Sequence, residues 1–83
     1  MPTKKEVFGM ILAAVADRQA LRQVAQDIGL AEDSLLGILN WNLGLSPVRD
    51  LSFGQFDWRI DHIEFLFPED AKSIKLWWSS LED

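Results

Sequence analysis

Apolar residues recur at intervals of three and four in three successive blocks of this chain. In the first, Val7, Met10, Ile11, Ala14 and Val15 share one helical face. Thr3 and Glu6 have the S/T-x-x-E spacing of a capping box, which starts that helix at Lys4. In the second block Leu21, Val24, Ala25 and Ile28 form the stripe, Asp17 suits the N-cap, and Gly29 suits a left-handed residue ending the helix. The third runs from about 32 to 41 and buries Leu35, Ile38 and Leu39. Asn42 and Gly44 stop it, and residues 43–51, with Pro47, read as a loop. A last helix is expected from Pro68, with acids in its first turn. Ala71, Ile74, Trp78 and Leu81 make its inward stripe, Trp77 flanks that stripe, and Leu76 points the opposite way.

Residues 56–67 admit two patterns. A hairpin turning at Asp61-His62 pairs Ile60 with Ile63, Trp58 with Phe65 and Phe56 with Phe67, putting all six on one face and Arg59 opposite Glu64 on the other. A helix instead aligns Phe53, Phe56, Ile60, Ile63 and Phe67, with Ser52 and Gln55 as a capping box, and strands Trp58 and Phe65 on the solvent side. Asp-His is a poor two-residue turn, but the hairpin accounts for more of the apolar residues. The expected fold is therefore mainly α: a three-helix core, a β-hairpin over about 56–67 and a C-terminal helix, in one domain spanning 1–83. The alternative is an all-α domain of five helices.

Between the second and third helices, Ala25 is small where two helices would approach, Gly29 reverses the chain and Leu30 plugs the corner. Over residues 21–40 this pattern resembles the phage lambda repressor-type helix-turn-helix. The resemblance implies that Glu32, Asp33 and Ser34 would face base edges, that Arg22 or Gln23 would touch a phosphate, and that Lys4 and Lys5 would belong to a basic arm. The chemistry at those positions runs the other way. A carboxylate can accept from cytosine but is repelled by phosphates, and residues 23–48 contain no Lys or Arg.

Charge sharpens that conflict. Eight basic residues against thirteen acidic ones give a net charge of −5, whereas nucleic-acid affinity comes largely from basic groups neutralising phosphates. The chain has no cysteine, which removes disulfides and thiolate metal sites and fits a reducing cytoplasm. With 48% hydrophobic residues, including four Trp and five Phe, it is expected to fold without a cofactor. No signal peptide or membrane-length apolar run is visible, so the chain is expected to be cytoplasmic.

Catalytic chemistry has little to stand on. His62 is the single histidine and lacks convergent ligands or a nucleophile, Ser34, Ser79 and Ser80 lack a local base, and no phosphate-binding glycine loop occurs. The expectation is a non-enzymatic regulator that presents Glu32, Asp33, Leu76 and Trp77 to a protein partner with a basic surface. The alternative is a Cro-like DNA-binding regulator, dimeric through its C-terminal helix, using Lys4, Lys5, Arg18, Arg22 and Ser34.

Overall fold

The structure, a computed structural model, describes residues 2–41 and 51–83. Among them the chain forms α1 (Lys4–Ala14), α2 (Arg18–Ile28), α3 (Glu32–Asn40), α4 (Phe53–Asp61), a 3-10 turn (Ile63–Phe65) and α5 (Ala71–Ser79). The expected stops at Asn42 and Gly44, and the loop around Pro47, lie outside the described residues.

The first three helices begin and end where local chemistry dictates. The Thr3 hydroxyl accepts from the Glu6 backbone N–H at 3.1 Å. Asp17 accepts from the N–H groups of Gln19 and Ala20, satisfying two donors that have no partner within α2. Gly29 ends α2 at φ 79°, a left-handed backbone that would cost an L side chain about 1–2 kcal/mol. That turn lets the Leu30 N–H reach the Ala25 carbonyl at 3.0 Å and buries the Leu30 side chain. Three residues thus separate α2 from α3. Ala31 gives α3 no side-chain cap, and Glu32 and Asp33 in the first turn complement its dipole instead.

Residues 56–67 form no hairpin. Ser52 and Gln55 make a complete capping box that starts α4, and Phe56, Ile60 and Ile63 turn into the core on helical spacing. Phe53 and Phe67 pack against that core, while Trp58 and Phe65 remain exposed. The all-helical alternative describes this segment. Arg59, expected to oppose Glu64 across two strands, is instead buried at 4% exposure. Its Nη1 donates to the carbonyls of Ile38 (2.7 Å) and Leu39 (3.0 Å), so it caps the C-terminal end of α3. Burial pushes the guanidinium below its ordinary pKa, yet arginine remains charged in this range.

Two smaller expectations also change. Pro68 does not open the last helix: residues 68–70 form a turn and Asp70 is the N-cap of α5. Met10, expected to face inward, is 39% exposed, and Phe8 takes the buried position.

The core has an aromatic centre in which Phe56 lies 5.4 Å from Phe8 and 5.3 Å from Trp78, measured between ring centroids. Around it Val7, Ile11, Leu35, Ile38, Ile60 and Ile63 are almost fully buried. Gly37 lets the Phe67 ring lie directly on α3, since a Cβ there would come within 2.5 Å of that ring. The two ends of the chain are tied together: the Lys4 N–H donates to the Glu82 carbonyl at 2.7 Å, Thr3 and Glu82 form a parallel bridge, and Lys4 Nζ meets Asp83 at 3.0 Å.

Candidate interaction surfaces

At the start of α3, the three-residue turn brings the first turn of α2 against Glu32. Arg18 Nε lies 3.4 Å from one Glu32 carboxylate oxygen and Arg22 Nε 3.1 Å from the other. Nearby cations therefore do offset Glu32, although residues 23–48 contain no Lys or Arg. Asp33 is exposed, with no ion pair among the described residues. Ser34 is buried at 8% exposure, so its hydroxyl is turned away from any groove contact. Lys4 and Lys5 sit at the far end of α1, about 15 Å of helix rise from its junction with α2. Lys4 and Lys5 thus form a group separate from Arg18 and Arg22.

The Arg22 hydrogen bond, followed by the charges of Arg22 and Arg18, holds the Glu32 carboxyl below its usual range against an opposing effect of burial. A hydrogen bond from Lys75 does the same for Glu64, with Nζ at 2.8 Å. A lowered folded-state pKa means that the unfolded chain binds protons more readily. The stabilisation is present above the unfolded carboxylate pKa, near ~4.3, and is lost as pH falls through the lower folded value. Thermal midpoints measured from pH 6 to pH 3 should therefore drop on the acid side, less steeply in a Glu32→Gln/Glu64→Gln double variant. An unchanged acid limb in that variant would show that these pairs contribute nothing.

The most exposed aromatic surface lies elsewhere. Arg59 fastens the end of α3 to α4, which sets Trp41, just beyond α3, beside Trp58 at a centroid distance of 5.7 Å. Phe65 completes the group 6.5 Å from Trp41. Trp58 is 44% exposed and Phe65 72%. His62 stacks on Trp58 at 4.1 Å and is nearly parallel to Phe65 at 6.2 Å. Its Nδ1 lies 2.9 Å from the Trp58 carbonyl, so the ring is fixed on the C-terminal cap of α4. Sequence reasoning did not select this cluster. Its signal was the helical spacing that left Trp58 and Phe65 outside the stripe.

Family models, characterised proteins and solved structures give no match to this chain.

Of the pair expected on α5, Leu76 is exposed at 61%. Trp77 is half-buried: it packs on the core, and its indole N–H donates to the Ile28 carbonyl at 2.9 Å, closing the end of α2. A cleft of about 270 Å³ between α1, α4 and α5 is lined by Lys4, Lys75, Asp57, Asp61 and Trp78. Its polar groups are largely occupied, since Lys4 pairs with Asp83, Lys75 with Glu64, and Asp57 accepts from the Trp78 indole at 2.6 Å. A second cleft of about 270 Å³ is lined by Leu21, Leu36 and Leu39 with Arg18 and Asn40. No helix among the described residues is long and apolar enough to cross a membrane.

Proposed function

We propose that this chain is a small acidic, non-enzymatic regulatory protein of the cytoplasm, helix-turn-helix-like in shape, that binds another protein through that partner's basic surface. The observation that carries this reading is the contiguous ring group of half-buried Trp41 with exposed Trp58 and Phe65. Small domains seldom leave large aromatics together in water, whereas such residues anchor protein interfaces. The −5 charge gives the partner its sign. Glu32, Asp33 and Leu76 remain exposed enough to join a rim, and Trp77 drops out of the contact set.

The second reading, a Cro-like dimeric DNA-binding regulator, draws on the exposed Arg18 and Arg22 beside the start of α3. Glu32 already engages both guanidiniums and offsets one of their two charges, and Ser34 is buried, which weighs against it. Affinity capture from the native host with three baits tests the choice. A specific protein should be retained by the wild type and by Glu32→Gln, and lost with Trp58→Ser/Phe65→Ser. No duplex DNA should bind at near-physiological salt. A salt-sensitive complex with one defined DNA site, weakened by Arg22→Ala, would sink the proposal in favour of the second reading.

A further inference from the structure

We propose that the ring cluster of Trp41, Trp58 and Phe65, with the Asp61 carboxylate beside it, receives an arginine side chain from a basic peptide segment of the partner. This rests on the protein-binding reading above and adds the chemistry being recognised. Trp58 and Asp61 are three positions apart on α4, so their side chains are surface neighbours. The Asp61 side chain stands between the rings and the mouth of the Lys4–Trp78 cleft, is 76% exposed, and has His62 Nδ1 at 3.8 Å as its ionic neighbour among the described residues. An exposed ring and an open carboxylate together are what a guanidinium satisfies at once, its plane on the ring and its N–H fork on the oxygens.

Among the described residues, the cations that are paired or buried do not fill this place. Lys4 is held by Asp83, Arg18 and Arg22 by Glu32, and Lys75 by Glu64, while Arg59 is buried against α3. The cation–ring contacts among the described residues, Lys4 over Trp78 and Lys5 over Phe53, lie on other rings. His62 covers one face of the Trp58 indole, so the incoming guanidinium takes the part left exposed. A second copy of this chain is a poorer occupant than a basic segment, because two copies would bring −5 against −5.

Titration of the full chain with the peptide acetyl-Gly-Arg-Gly-Arg-amide, followed by two-dimensional NMR, tests this directly. Saturable shifts are expected at the Trp58 indole N–H and through residues 58–65. Replacing both arginines by citrulline, which is neutral and nearly isosteric, should weaken binding about fivefold or more, the loss of one cation–ring contact. Asp61→Asn should weaken it about two- to threefold and flatten its salt dependence. Trp58→Leu should abolish the saturable shifts in a chain whose spectrum remains dispersed. If that variant does not fold, the citrulline peptide and Asp61→Asn decide.

Equal binding of the citrulline peptide, tighter binding of a leucine peptide at the same residues, or shifts confined to the Lys4–Trp78 cleft would each overturn the proposal. Should the peptides fail while Trp58→Ser/Phe65→Ser still abolishes capture of a host protein, arginine recognition is wrong and protein binding stands. A captured partner indifferent to those variants removes both.

Discussion

Replacing Arg59 with methionine is expected to lower the thermal midpoint by roughly 10–20 °C, corresponding to a loss of about 2–3 kcal/mol in a domain of this size. Methionine can occupy much of the same buried space, so the effect isolates the guanidinium rather than a cavity. What disappears is a charged donor to the Ile38 and Leu39 carbonyls, two of the last four of α3, which have no partner within the helix. Relief of the desolvated charge offsets part of the loss, which keeps the estimate below the sum of two charge-assisted bonds. Arg59→Lys should recover only part, because one ammonium lacks the planar fork. Because α3 and α4 are joined at this point, ring contacts between Trp41 and Trp58 should loosen as well, and Trp fluorescence should change at temperatures below unfolding. A midpoint within a few degrees of the wild type would show that Arg59 does not hold the end of α3.

Phe56→Ala should be more damaging still, by about 3–5 kcal/mol, as for other large aromatic deletions in packed cores. Phe56 has 0% exposure and touches both Phe8 and Trp78, so its removal leaves a void bounded by rings from α1 and α5. Total stability for 83 residues is about 4–12 kcal/mol, so a substantial unfolded population at 37 °C is within reach. The informative comparison is Trp58→Ala, two residues along, which should cost about 1 kcal/mol or less because Trp58 is already 44% exposed. In a hairpin the two positions would share one buried face and the two variants would be similarly destabilised. Equilibrium urea unfolding of both separates the arrangements. Comparable losses would contradict the helical placement of α4.

That segment also shows where the sequence was legible and where it was not. The first three helices could be read because independent signals agreed: the Thr3 and Asp17 caps, the stripe of Leu21 and Ala25, and a glycine at the one described position with φ near +80°. Over 56–67 the signals conflicted. Ser52 and Gln55 announced a helix, while burial of every apolar side chain favoured strands. The chain resolves this by leaving Trp58 and Phe65 in water, a local departure from the rule that apolar groups are buried, of the kind that marks binding surfaces.

Other misplacements have a common cause in tertiary geometry. No linear pattern says that Trp77 will donate to a carbonyl 49 residues earlier, or that Arg18 and Arg22 will close on Glu32 across the turn. Local spacing predicts what shares a face of one helix. It does not predict which neighbour covers that face, and the direction of Trp77 and the neutralisation of Glu32 depend on that neighbour.

The bridge between Thr3 and Glu82 has a practical corollary for handling the molecule. Since residues 3 and 82 lie side by side, a short peptide linking this 83-residue segment's two ends would close it into a ring with little rearrangement of the helices. Such a ring would restrict the unfolded chain far more than the folded one, raising heat resistance without touching any exposed ring. Fluorophores attached at both ends would report on opening of the clasp, because their separation is small only while residues 3 and 82 remain in contact.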